Sequence, residues 1–183
     1  LSLNGGRSRF LNRLDLRHHL NLGAHELTLE PGAFATLGDS QVGFGGANSR
    51  LTIAAGARLE LTPTNTQFNA VSFVGNQGET GALVVNEGDF IKRGAATSFF
   101  VRMELLNTGR LQVSEGALEV GSGFTNTGSI LVSPAGRLEL GSGFRHALTG
   151  RITNQGYIRI PDNAVLEGTY QATGTTEVSR AQS

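Results

Sequence analysis

Apolar residues recur at every second position, in short bursts, along most of this chain. Leu27 and Leu29, Leu51 and Ile53, Leu111 and Val113, Ile130 and Val132, and Ile158 and Ile160 each lie two apart. A turn follows, and the same spacing returns in Leu59 and Leu61, Leu118 and Val120, and Leu138 and Leu140. Side chains alternate across a strand, so this period predicts short β-strands with one buried face. Arg58, Glu60, Glu119, Arg137 and Glu139 occupy the alternate, solvent-facing positions. No stretch of ten residues carries a helical period.

The bursts share a template: strand, turn with a glycine, strand. The glycine is Gly32, Gly56, Gly88, Gly116 and Gly136 in successive copies, and Ala164 takes its place in a sixth. The segments around Gly116 and Gly136 align closely, and the one extra residue of the second falls in its turn. Both lead into the tetrapeptide GSGF, at Gly121–Phe124 and Gly141–Phe144. Asn-x-Gly at Asn107, Asn126 and Asn154 precedes or punctuates the copies. These asparagines are expected to satisfy backbone groups at a bend, which Asn does well. Pro31, Pro134 and Pro161 all fall in strand–strand turns in this register, where a missing N–H costs least.

A repeat of this length cannot bury its apolar side alone, and stacking successive copies does. The prediction is an all-β fold, a right-handed parallel β-helix of six to eight coils of 20–32 residues, with residues 1–183 as one solenoid domain. The repeat is clear over 14–168 and less regular at the termini. Twenty is not a multiple of six, which disfavours the left-handed hexapeptide form. Seven or so coils at about 4.8 Å each make a rod roughly 30–35 Å long. Leu118 over Leu138, Val113 over Val132, and Phe124 over Phe144 are the expected core stacks. The segment between Phe144 and Asn154 reads as an extra strand or a protruding loop. An antiparallel two-sheet sandwich is the alternative fold, though it has no need of the same turn chemistry six times.

Composition narrows the chemistry. Fifteen basic residues balance fifteen acidic ones, which argues against a nucleic-acid partner. There is no cysteine, so disulfides, thiolate zinc sites and thiol catalysis are out. No apolar run approaches the ~20 residues that cross a bilayer as a helix, and no membrane insertion of this segment is expected. Leu1 rather than Met at the start suggests a processed product or a segment of a larger secreted protein.

The pattern Leu/Ile-x-Val-x-x-Gly-Ala-x-Leu-x-Leu, joined by Asn-x-Gly, resembles the passenger regions of bacterial autotransporters and the filamentous adhesins of two-partner secretion. The stretches 16–34 and 88–120 carry it best, and the likeness runs from about Leu14 to Gly168. It implies export, display on the bacterial cell surface, and adhesion, aggregation or scaffolding, including filament or biofilm-matrix assembly.

Candidate chemistry is thin. The four aspartates, Asp15, Asp39, Asp89 and Asp162, form no pair. Glu119 and Glu139 should stack on adjacent rungs; the ordinary reading is an exposed ladder position relieved by Arg137 and Arg110. His18 and His19 point to opposite faces of a strand, and with His25 they read as surface groups at a coil edge rather than metal ligands. A calcium-binding nonapeptide repeat is absent. Gly5-Gly and Gly43-Phe-Gly-Gly read as bends, not phosphate loops, and Thr62-Pro-Thr-Asn-Thr is too isolated for an ice-binding ladder. No catalytic residue, metal or cofactor is expected. Arg102, Arg145, His146 and Arg151, in the irregular insertions, are the first places to look for a glycan or protein ligand. The expected function is a non-catalytic rod whose partners are other copies of itself, packed end to end or laterally, or a host or cell-surface glycan or protein. A carbohydrate-active β-helix, enzyme or glycan-binding module, is the alternative.

Overall fold

The protein is a parallel β-solenoid of about eight turns, with no helix among the described residues. The structure, a computed structural model, describes residues 1–16, 19–46, 48–65, 71–75 and 81–179. Each full coil contributes three short strands, one to each face. The first face is an eight-stranded sheet running from Arg7–Phe10 through Glu26–Leu29, Arg50–Ile53, Leu83–Asn86, Glu104–Asn107, Phe124–Asn126 and Arg145–His146 to Val165–Leu166. The second face starts at Arg13–Leu16 and the third at Ser2–Asn4. These two faces join into one fifteen-stranded sheet because the strands Arg110–Ser122 and Ser129–Ser142 run unbroken around the corner between them.

Every strand pair between coils is parallel, so equivalent residues lie above one another, which rules out the antiparallel sandwich. Coil length varies: Asn107 pairs with Asn126, 19 positions on (126 − 107), whereas Ile53 pairs with Asn86, 33 positions on (86 − 53). Extra residues are absorbed between strands, and the stacked strands keep their register.

The inward columns make one continuous apolar core. Leu27 lies over Leu51, and Leu111 over Ile130 and Ile152. Val113 pairs with Val132 and Leu118 with Leu138, all four fully buried. Phe124 and Phe144 are buried with ring centroids 5.2 Å apart. Midway along the rod, Phe73 and Phe100 stack at 4.4 Å, with the edge of Phe90 against both. Each such side chain contributes about 1.5–3 kcal/mol by leaving water.

Several positions differ from the sequence register. Gly32, Gly56 and Gly88 sit at the corner between the first and second faces, but Gly116 and Gly136 pair with each other at the next corner. The first-corner column continues instead through Gly109 and Gly128. The extra residue of the Gly136 copy is a register shift at that second corner, between Val113 and Glu115. Asn154 lies on the second face, under Val132 and over Ala172, and is not in the column of Asn107 and Asn126. Pro161 ends the third-face strand Tyr157–Pro161, and Ala164 follows at the third corner. The segment after Phe144 is neither insertion nor loop: it holds the ordinary strands Arg145–His146 and Arg151–Asn154. The cause is common to all of these. Strand–glycine–strand is the local grammar of every corner, so a glycine alone does not say which corner it occupies.

Candidate binding cleft

The recurring GSGF marks the third corner. Gly123 and Gly143 adopt φ of +66° and +74°, turning the chain so that Phe124 and Phe144 point inward. Gly141 is required by close stacking, since a Cβ there would lie 1.8 Å from the Gly121 carbonyl oxygen. One consequence lies outside the core. Between the Glu119–Glu139 column and the Ser122–Ser142 column, the strip carrying Gly121 and Gly141 has no side chains. The outer wall is therefore notched by a cleft of about 430 Å³, whose lining includes Phe99, Arg102, Glu119, Glu139, Arg159 and the two serines.

One outward column crosses this cleft: Phe99, Glu119, Glu139, Arg159 and Glu177 pair in succession. Glu139 is held from two sides. Arg137 Nε is 2.5 Å from one carboxylate oxygen, and Arg159 bonds the other. Arg137 lies with its guanidinium 4.0 Å from the Tyr157 ring centroid, and the Tyr157 hydroxyl donates to Glu177. Glu119 makes no hydrogen bond or ion pair among the described residues. Its carboxyl is pushed above the ordinary range, first by burial and then by the neighbouring Glu139 charge, with Arg159 and Arg137 opposing. The cations beside these carboxyl groups are Arg137 and Arg159, not Arg110, which reaches Asp89 at 3.8 Å and bonds Gln112.

Two carboxyl groups on adjacent rungs, about 4.8 Å apart along the sheet, approach the ~5–5.5 Å of a retaining glycosidase pair. Both Glu139 oxygens are engaged by guanidinium groups. What remains is a set of hydrogen-bonding groups: the half-buried Glu119 carboxyl, two serine hydroxyls, two arginines, and the half-exposed ring of Phe99.

The residues singled out from the sequence are dispersed. Arg102 lines the cleft, in a left-handed conformation with φ of +56°. Arg145 is on the outside of the first face, 3.6 Å from Glu167. Arg151 is on the second face and donates to Gln171 at 2.9 Å. His146 is not on a loop at all but fully buried, in the column of Asn86, Asn107 and Asn126. These four residues form no common site.

That column is an interior polar ladder. Asn86 Nδ2 donates to Asn107 Oδ1 and Asn107 Nδ2 to Asn126 Oδ1, both at 2.6 Å. Asn126 Nδ2 donates to His146 Nδ1 at 2.9 Å, and His146 Nε2 donates to the Thr169 carbonyl at 3.1 Å. The same Nδ2 groups donate to corner carbonyls, those of Arg110, Ser129 and Gly128. Asn154 does equivalent work at its own corner, donating to the Thr175 carbonyl and accepting from Gly156 N–H. His25 is likewise buried, bonded to the Gly5 carbonyl and Ser8 Oγ, and is no surface group; His18 and Thr66 lie outside the described residues. Among the described residues no cluster of three His, Cys, Asp or Glu is placed to hold a metal.

Sequence reading missed Asn86, although Asn86-Glu-Gly carries the same Asn-x-Gly signal. It also missed Lys92, a fully buried lysine whose Nζ caps the carbonyls of Gly94 at 2.7 Å and Glu115 at 3.1 Å. No local signal separates Lys92 from an outward lysine. No protein-family model, curated protein or solved structure matches this chain, so its architecture stands on its own geometry.

Proposed function

We propose that the chain is a non-catalytic, extracellular β-solenoid of a bacterial surface protein, a stiff rod for adhesion and for assembly with further copies of itself. The observation that supports this reading is the stack itself: the coils pair in parallel, with Leu27 over Leu51 and Leu111 over Ile130 and Ile152, around one continuous apolar core, which makes a stiff rod. Assembly with further copies is proposed with it, because parallel coils can add to a stack one upon another. Placement at the bacterial surface rests on the likeness of the repeat to autotransporter passengers and filamentous adhesins.

Light scattering across a concentration series, with electron microscopy, tests this. The expected result is growth into linear species about one coil-stack wide as concentration rises. A monodisperse monomer at high concentration and low salt overturns the assembly half. The cleft on the third face favours a second reading, a glycan-binding solenoid.

A further inference from the structure

We infer that the cleft over Gly121 and Gly141 is a subsite for a neutral, linear oligosaccharide lying along the rod axis. This rests on the adhesive half of the function proposed above and gives it a ligand class and a place.

Four features of the cleft lead there. The first is its floor. Gly121 and Gly141 leave bare backbone between two outward rows, so a flat ring can approach the sheet closely. The second is the mixture of groups. Phe99 offers an apolar ring face at one end of the row, and Glu119 and Glu139 follow it on successive rungs. An aromatic platform beside carboxyl, guanidinium and hydroxyl groups matches the two surfaces of a sugar: the C–H face and the ring of hydroxyls. The third is spacing. The rungs repeat at about 4.8 Å, comparable to one pyranose residue in an extended chain, so successive units meet successive rungs. The fourth is charge. Two glutamates, Glu119 and Glu139, and two arginines, Arg102 and Arg159, line the cleft, so the formal charge of its lining is balanced and favours neither a polyanion nor a polycation.

A peptide is disfavoured by the backbone. The cleft floor is the face of a sheet, with Val120 paired to Leu140 and Ser122 to Ser142 on either side of the glycines, so an extended peptide finds no strand edge to join. A sugar needs none, since side chains can satisfy its hydroxyls. Glu119 suits this role because it lines the cleft and, among the described residues, makes no hydrogen bond or ion pair.

The test is titration of the full chain with cellohexaose, laminarihexaose, maltohexaose and chitohexaose, and with hexagalacturonate as the charged arm, read by calorimetry and by amide shifts. Binding of at least one neutral hexaose is expected, with the largest shifts at Gly121 and Gly141. Phe99→Ala should weaken it about tenfold or more, as loss of an aromatic anchor does. Glu119→Gln should weaken it less, and Arg151→Ala, on another face, should leave it unchanged. Circular dichroism of each variant separates lost binding from lost folding, and the wild-type shift map needs no variant at all. No binding by any neutral hexaose, binding by hexagalacturonate alone, or binding indifferent to Phe99→Ala each overturns the inference. Scattering on the same samples keeps the two ideas apart. A chain that stacks without binding sugar loses only the subsite, and a monomer that binds sugar loses only the rod.

Discussion

Asn126 Nδ2 donates a hydrogen bond to His146 Nδ1 at 2.9 Å inside the solenoid, where both side chains are fully buried. The direction is fixed by the surroundings. Asn126 Nδ2 also faces the Gly128 carbonyl, which can only accept, so the amide must present its NH₂ to the corner. Nδ1 of His146 is then the acceptor, and Nε2 carries the hydrogen given to Thr169. Nitrogen-15 spectra of the histidine ring should show the neutral Nε2–H tautomer. A protonated Nδ1 would mean that the ladder runs the other way.

The ladder's polarity makes its members unequal. Asn107 accepts from Asn86 and donates to both Asn126 and the Ser129 carbonyl. Asn86, at the head, sits under Ile53, and its Oδ1 is buried with no partner. Asn107→Leu should therefore destabilise by several kcal/mol, because a buried group left unsatisfied costs about 1–3 kcal/mol and several lose partners together. Asn86→Leu removes an acceptor that was already unpaired and should cost distinctly less. Urea unfolding of the two variants checks the order, and equal losses would contradict the ladder as described.

How much of this was legible in the sequence follows from the same residues. Alternation identified the strands, and pairs such as Leu118–Leu138 and Phe124–Phe144 could be placed because GSGF recurs at one corner. The coil register upstream was not, because Gly88 and Gly116 look alike locally but occupy different corners. Asn154 carries the same Asn-x-Gly signal as Asn107 and Asn126 but serves a different corner, for the same reason. His146 and Lys92 are polar residues in inward columns otherwise filled by Asn or by Leu and Val. Only the coils above and below decide that they are buried. The cleft was invisible because it is made by what Gly121 and Gly141 lack.

Lys92 gives a pH signature in the alkaline range. Burial lowers its pKa from 10.5 to about 8, with Glu115 opposing, although the carbonyls around Nζ favour the charged form and limit the shift. With the folded value below the unfolded one, the unfolded chain holds more protons between about pH 8 and 10.5. Stability should therefore rise with pH across that window, by at most about 3 kcal/mol at 1.36 kcal/mol per unit. Lys92→Met should remove the slope while leaving the Gly94 and Glu115 carbonyls without a donor. Denaturant unfolding at pH 7.5, 9 and 10, compared between the two proteins, tests both statements.

Glu119 works in the opposite pH direction. Its folded pKa is raised above the ordinary 4.5, burial being the larger cause and Glu139 the next. The folded state then binds the proton more tightly. Its contribution to stability is full below the ordinary value and is lost as pH rises through the raised one. Glu119→Gln keeps a neutral group at every pH, so the variant should be the more stable at pH 7 and should lose that advantage near pH 4. Thermal unfolding from pH 4 to 7 gives the difference; a variant less stable at pH 7 would mean that the carboxylate is supported rather than strained.

The two glycines of the second GSGF separate stacking from turn geometry. At Gly143 the φ of +74° disfavours a side chain, but nothing nearer than 3.9 Å would meet a Cβ. Gly143→Ala should cost only about 1–2 kcal/mol, the penalty of a left-handed conformation. At Gly141 φ is ordinary for any residue, yet a Cβ would lie 1.8 Å from the Gly121 oxygen and 2.4 Å from its carbonyl carbon. That atom belongs to the backbone of the preceding coil, which is held by its own ladder and cannot retreat without parting Glu119 from Glu139 and Val120 from Leu140. Gly141→Ala should thus be much the worse of the pair, losing several kcal/mol and opening the coils on either side to hydrogen exchange. If the two alanines were equally tolerated, the coils would not approach as closely as the parallel stack requires.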